Sequence, residues 1–423
     1  MTLTVRTVLV LVAVALAALV VPGGVAVAAV AVLTGLVVAD AVAARRAPRV
    51  VRELPRVLAR GVGVPLAVTL GDGAGGGAGA RSARRVRVRQ PLVADLGLDI
   101  QEGDGSLHAT LTPRRRGRHV LPAVALRVRG PLGLGAWQHR AAGEHELTVF
   151  PDLPNARRLA RAVREGRFRD PGVRTRGPIG LGTEFERIRE YLPDDDVRQV
   201  NWRATARAGR PMSNQHRVEQ DQELMLVVDV GRLMAAPLGD RTRLDAALDA
   251  ATALALVADE LGDRCGALAF DDALRRHVRP GRATGSAVVR ATFDLEPSDR
   301  DADYELAFRT VGGGKRALVV VLTDLLDEAA ARALVDAVPV LTRRHAVLVA
   351  SARDVELESL ATTSPTSDHG ALTAIAATDL LDARHRAAAR VRGAGAQIVE
   401  APPSTLAAAC ITAYLTTKSR RRL

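Results

Sequence analysis

The stretch EFERIREYLPDDDVRQVNWRATARAGR, residues 184–210, carries three consecutive carboxylates, Asp194, Asp195 and Asp196. Clustered carboxylates can hold two divalent ions for phosphodiester hydrolysis. Consecutive residues on a loop entering a helix do not converge on one point, however, and the stretch holds no His or Lys to act as base. Two further carboxylates, Asp229 and Asp324, close the apolar runs LMLVVD and LVVVLTD. Open α/β sheets bind ligands outside the carboxyl ends of their strands, so each Asp suits a metal ligand. Each equally suits the N-cap of a following helix or turn. Other candidates fail on inspection. GGGKR (312–316) precedes a strand-like run, lacks the first glycine of a phosphate loop and has Arg316 where Ser or Thr is needed. There is no GxSxG or HExxH pattern, and His216 and His277 stand alone. Cys265 and Cys410 lie in apolar runs without metal-ligand spacing and read as core thiols in a reducing compartment.

The elements that carry these residues follow from periodicity. Asp196 and Gln199 fit a capping box that starts a helix at Val197, and Gly209 stops it. Val197, Val200 and Trp202 are its apolar anchors, with Arg198, Arg203 and Arg207 projecting outward. Six acidic residues and six Arg leave 184–210 locally neutral, unlike a surface that tracks phosphates. The segment reads as a charge-paired helix that docks against the α/β domain or a partner. From Glu223 onward, runs such as ELMLVVDV, CGALAF, RALVVVLTDL, HAVLVAS and AQIVEA alternate with helical segments. That pattern predicts a doubly wound α/β domain with a parallel sheet covered on both faces. Between Val50 and Phe150, alternation in RRVRVRQ and VALRVRG predicts an antiparallel β-sandwich. GDGAGGGAGA (71–80) is a loop or hairpin tip, and Arg114, Arg115, Arg116 and Arg118 form a solvated basic turn.

No charged residue occurs from Thr7 to Ala39, which marks a membrane segment over residues 5–39. Pro22-Gly23-Gly24 splits it into two halves of about 15 residues, each ~22 Å long as a helix. A tight hairpin is the preferred reading; a single tilted span and a signal peptide cleaved near Ala26-Val27-Ala28 are the alternatives. Arg on both flanks places both ends, and the soluble domains, on the cytoplasmic side of the plasma membrane. The domain plan is therefore 1–44 hairpin, 45–150 β-rich, 151–222 connecting segment and 223–423 α/β. The net charge is +12, yet its cations are almost all Arg, with Lys only at Lys315 and Lys418. Such a bias fits a GC-rich genome and argues little for nucleic acid, and the Arg around 45–60 suits anionic headgroups. Aromatics make up only 3% of a chain that is 48% hydrophobic, so each of its two Trp, Trp137 and Trp202, is informative.

The 184–210 stretch, followed by LMLVVDVGRLM, resembles the signature of the Domain of Unknown Function 58 family. Glu184, Phe185, Arg189, Tyr191, Asp195, Asp196, Arg198, Asn201, Trp202, Ala206 and Arg207 fall on that pattern. The resemblance implies a bacterial, membrane-anchored protein with a von Willebrand factor A-like domain that works with a MoxR-type AAA+ ATPase. It also implies that the signature residues dock a partner. The metal site of von Willebrand A domains uses Asp-x-Ser-x-Ser, a Thr and a second Asp. Here Asp229 and Asp324 remain, but Gly231 and Leu233 replace the two serines. Mg²⁺ requires near-octahedral oxygen coordination, so this site is degenerate and the chain is expected to need no cofactor, with Mg²⁺ the one candidate. The leading expectation is a non-enzymatic, membrane-tethered interaction or assembly factor that does not bind nucleic acid. A divalent-metal hydrolase or nuclease using Asp194–Asp196 with Asp229 is the alternative, and an extracellular adhesion module is a third.

Overall fold

The computed structural model describes residues 2–17, 19–20, 22–71, 85–168, 184–192, 200–217, 222–326 and 328–419. The chain divides into two compact units, 1–150 and 151–423. Together they form a mixed α/β protein with several sheets and, among the described residues, eleven helices.

In the first unit, α1 (Val5–Ala17) is followed by α2 (Gly23–Ala43), with Pro22 at the N-cap of α2. The two halves are unequal, in contrast to the even split expected. α2 has 21 residues, an 18-residue stretch of which has a mean hydropathy of 2.4, so at 1.5 Å per residue it is ~31 Å long and matches a bilayer core. It runs past Asp40 because that carboxylate is satisfied by backbone N–H groups of a neighbouring turn. One N-terminal helix is therefore long and apolar enough to cross a membrane.

The expected β-type runs form strands Val64–Leu70, Val86–Arg89, Ser106–Pro113, Val124–Arg129 and His145–Phe150. They belong to sheets of five, four and three strands that share one core, including Leu66, Val88, Leu111, Leu126 and Val149. Alternation fixes which face is inward: Val86 and Val88 are buried while Arg87 and Arg89 are exposed. Arg116 departs from the solvated-turn expectation, at only 4% exposure. Of the Gly-rich tract, all but Gly71 lies outside the described residues.

The second unit is built on a six-stranded sheet, whose strands are numbered here in chain order. They are β1 (Glu223–Asp229), β2 (Arg264–Phe270), β3 (Leu274–Arg282), β4 (Ala317–Leu322), β5 (Ala346–Ala352) and β6 (Gln397–Ala401). Their spatial order is β3-β2-β1-β4-β5-β6. All pairs are parallel except β2–β3, so the sheet is mixed and not wholly parallel. The antiparallel edge strand LRRHVRPGR escaped periodicity because it is polar and mostly exposed. Its turn closes locally, with Ala273 N donating to Asp271 Oδ1.

The remaining helices are α3 (Leu153–Arg164), α4 (Trp202–Ala208), α5 (Arg243–Leu261), α6 (Gly285–Thr292), α7 (Tyr304–Gly312), α8 (Glu328–Thr342), α9 (Val355–Thr362), α10 (Asp368–Gly393) and α11 (Leu406–Ser419). One face of the sheet presents Leu226, Ala267, Val320 and Ala350 to a core shared with α3, α5 and α11. The other presents Val227, Leu268, Val321 and Val349 to α7, α8 and α10. All six residues of β4 are buried, and each Val or Leu so buried contributes about 1.5–3 kcal/mol. α5 carries Ala at half of its buried positions, which brings its backbone close to the sheet. α3, assigned by sequence to the connecting segment, packs on α5 and contributes Ala156 and Ala160 to the core.

Candidate functional site

The order of strands places β1 between β2 and β4, so the direction of winding reverses at the β1/β4 junction. A cleft opens there outside the carboxyl ends, as open α/β sheets dictate. Val228 pairs with Leu322 across the junction, which puts Asp229 beside Thr323 and Asp324. The expectation that both carboxylates stand at the strand ends is met, but their surroundings differ from a cation site.

Asp229 is 1% exposed. Its Oδ1 accepts from Gly231 N at 2.7 Å, a local turn of the kind Asp forms after a strand. Its Oδ2 accepts from the Thr323 hydroxyl at 2.6 Å and from the Tyr304 hydroxyl at 2.8 Å. Tyr304 is held by edge-on contacts with Phe270 and Phe308. Burial pushes the Asp229 carboxyl above its usual range, against the lowering effect of Thr323, Gly231 and Tyr304. Burial also raises the Tyr304 phenol well above its ordinary value, reinforced by the charge of Asp229.

Asp324 sits among cations supplied by the chain. Its Oδ1 accepts from Arg243 Nη1 and Arg384 Nη1, both at 2.9 Å, and from Ser351 Oγ at 3.1 Å. The three charged side chains are 3%, 8% and 4% exposed for Asp324, Arg243 and Arg384. Arg243 also bonds Ala352 O, and a second carboxylate, Asp354, lies 3.7 Å from it. Burial lowers the Arg243 guanidinium pKa, partly offset by Asp324, but an arginine stays charged in any case.

These residues do not fit a divalent ion. Two fixed guanidinium groups already hold Asp324 Oδ1, and their charge repels a third cation at that carboxylate. A side chain at Gly231 would place its Cβ 3.0 Å from Arg300 O and 3.1 Å from Asp229 Oδ1, so a serine there would require the neighbouring loop to shift. Leu233 offers no side-chain oxygen. Among the described residues, no group of three or more His, Cys, Asp or Glu converges as a metal cage would. What remains is a cleft of about 510 Å³ lined by Asp229, Gly231, Leu233, Asp301, Tyr304 and Leu326.

The raised Asp229 pKa carries a sign. Because its folded value lies above its unfolded value, its contribution to stability is greatest below about pH 3.9 and is lost as pH rises through the folded value. Asp229→Asn keeps an acceptor for Gly231 N and removes the buried charge. Denaturant titrations across pH 4–8 are expected to show a flatter stability profile for the variant, with equal or greater stability at pH 7. A profile parallel to that of the parent chain would show that Asp229 is not the titrating group.

The signature stretch forms a separate antiparallel pair, Glu184–Glu190 with Met212–Arg217. In it Glu184 lies opposite Arg217, Phe185 opposite His216 and Arg189 opposite Ser213. Tyr191 N donates to Pro211 O, extending the pairing. The helix between the strands starts later than predicted. Val200 is in an extended bridge with Ser213, and α4 begins at Trp202 with Asn201 as its N-cap. Asn201 Oδ1 accepts from Ala204 N at 3.0 Å, while its Nδ2 donates to Asn214 Oδ1 at 2.8 Å. Asn201 thus ties helix to strand and caps α4 itself. Gly209 ends the helix in the left-handed region, as expected. Asp195, Asp196 and Arg198 lie outside the described residues, as do Asp194 and Val197. Trp202, expected as an internal anchor, is 72% exposed, Arg207 is exposed too, and α4 buries no residue.

Sequence reading missed Arg243, Tyr304, Thr323, Ser351 and Arg384. Thr323 and Ser351 carried a usable signal, since each is the first polar residue after an apolar strand run. Arg384 carried none, being one of several Arg in the 26-residue α10.

Residues 187–394 match the model of a family described as "Protein of unknown function DUF58". An uncharacterized protein of Mycobacterium tuberculosis (strain H37Rv), Rv1480, is 29% identical over 184 residues, 42% of this chain and 58% of its own length. Mb1516 of Mycobacterium bovis, also uncharacterized, matches with the same figures. The chain therefore spans less than two thirds of these relatives. Among solved structures, a point mutant of the PilB minor pilin from Streptococcus sanguinis aligns over 80% of this chain and 88% of its own at 8% identity. Its TM-score of 0.34 is too low to bear on the fold.

Proposed function

We propose that this protein is a non-enzymatic, membrane-anchored interaction or assembly factor. Its 184–217 hairpin docks a MoxR-type AAA+ ATPase, and its α/β unit, read as von Willebrand factor A-like, presents the β1/β4 cleft to a client protein. The carrying observation is Trp202: one of two Trp in the chain, it stands 72% exposed on a helix that Asn201 and Gly209 fix at both ends. Exposed, pre-positioned Trp is the residue type that most often dominates a protein interface. The ATPase itself is named from the family resemblance. The strand-end carboxylates support a binding role over hydrolysis, because both Asp229 oxygens and Asp324 Oδ1 are engaged by hydroxyl, amide and guanidinium donors. The same donors support docking without a resident metal.

The test is crosslinking in native membranes, with the ATPase quantified beside the parent chain and Trp202→Ala, in Mg²⁺ and in EDTA. Loss of a hot-spot Trp costs about 2 kcal/mol or more, so capture is expected to fall ~30-fold, with the melting temperature unchanged because the side chain is already exposed. Capture of the parent is expected to survive EDTA. Equal capture by a folded Trp202→Ala variant would reject the docking role of the signature.

A further inference from the structure

We propose that the turn 130–134, between strands Val124–Arg129 and Gly135–Ala141, is a second membrane contact, with Pro131 and Leu132 seated in the headgroup layer of the bilayer that α1 and α2 enter. The proposal rests on the membrane reading of those helices and adds a lipid-facing element from the β-rich part.

Both ends of the helix pair hold this one turn. Near the end of α2, Asp40 Oδ1 accepts from Leu132 N at 2.7 Å, and its Oδ2 accepts from Leu134 N and Gly135 N, each at 2.8 Å. At the start of α1, Thr4 Oγ1 donates to Gly133 O at 2.6 Å, and the Thr7 hydroxyl donates to Leu134 O. Just before α1, Thr2 and Leu3 pair with Ala136 and Gly135 as an added strand. The approach is backbone to backbone: a Cβ at Gly130 would lie 2.3 Å from Asp40, and one at Gly135 2.7 Å from Val37 O. The turn is therefore fixed at the level where α1 begins and α2 ends.

Beyond that level the helices expose a continuous apolar surface, including Val5 at 76%, Leu9 at 64% and Val32 at 64%. Such a surface in water would be an aggregation site, and lipid is the solvent that fits it. The boundary of that lipid carries the expected flanking types. Arg6, Arg45 and Arg46 are exposed, and the Arg45 guanidinium lies 5.7 Å over the Trp137 ring. Cations and Trp gather where hydrocarbon meets headgroups. Leu132, 55% exposed with Pro131 exposed beside it, occupies the same level, so its side chain meets lipid and not bulk water.

The full-length protein is reconstituted in phosphatidylethanolamine–phosphatidylglycerol vesicles as three single-site nitroxide variants, Leu132→Cys, Val32→Cys and Arg46→Cys. Cys265 and Cys410 are buried and do not label in the folded chain. Accessibility to oxygen relative to a water-soluble nickel chelate reads depth. Position 132 is expected to show a ratio several-fold above position 46 and below position 32. A ratio at 132 equal to that at 46, with 32 still deep, overturns the turn contact and leaves the anchor standing. A water-like ratio at 32 overturns the membrane reading and the proposal together. Pro131→Cys supplies the same readout where Leu132→Cys fails to fold.

Discussion

Asp324→Ala is expected to lower the unfolding free energy of the 151–423 unit by about 3–5 kcal/mol, because it strips a buried charge of its partner. Arg243 Nη1 and Arg384 Nη1 would lose the oxygen each meets at 2.9 Å, and both guanidinium groups would be left buried side by side. Ser351 Oγ would lose its acceptor as well. At about 2–4 °C per kcal/mol for a unit of this size, the melting temperature is expected to fall by roughly 6–20 °C in circular dichroism. A companion variant separates lost attraction from stranded charge. Replacing the triad by Arg243→Met, Asp324→Leu and Arg384→Met removes the desolvation cost with the attraction, and buried ion pairs so replaced are often neutral or more stable. A triple variant as unstable as Asp324→Ala would show that packing or the Ala352 carbonyl contacts, and not unpaired charge, dominate the site.

Asp40→Ala is expected to release the 130–134 turn from α2. Three backbone donors, Leu132 N, Leu134 N and Gly135 N, lose one carboxylate acceptor at once. A hydrogen bond to a charged group contributes about 1.5–3 kcal/mol, equivalent to ~10–150-fold in the opening equilibrium of each amide. Hydrogen exchange read by mass spectrometry should therefore accelerate by that factor in the peptide covering 130–136, with β4 of the other unit unchanged as an internal control. Asp40→Asn keeps one acceptor and should fall between the two. Unaltered exchange in Asp40→Ala would mean that the turn is held by the Thr4 and Thr7 hydroxyls and the Thr2–Leu3 strand alone.

Much of the architecture was legible along the chain. Buried β strands are continuous apolar runs, and LMLVVD, CGALAF and ALVVVL announce β1, β2 and β4 whatever surrounds them. The apolar N-terminus and the stop at Gly209 were equally local, because hydropathy and a left-handed glycine need no tertiary partner. Edge strand β3 was not legible, since a strand paired on one side and wet on the other shows no period-two signal. The start of α4 was not legible, because Asn201 caps it while also reaching Asn214 thirteen residues on, a tertiary partner that local capping patterns do not reveal.

The sequence by itself determined that Asp229 and Asp324 would stand at the ends of strands, on a sheet between two layers of helices. Only the tertiary structure decided what those carboxylates face. Arg243 and Arg384 come from helices far apart in the chain, and they converge on Asp324 because the strand order brings the ends of β4 and β5 beside α5 and α10. Local patterning sets which residues are buried. Which buried charges meet is set by how the elements stack, and here that stacking closes two arginines onto Asp324.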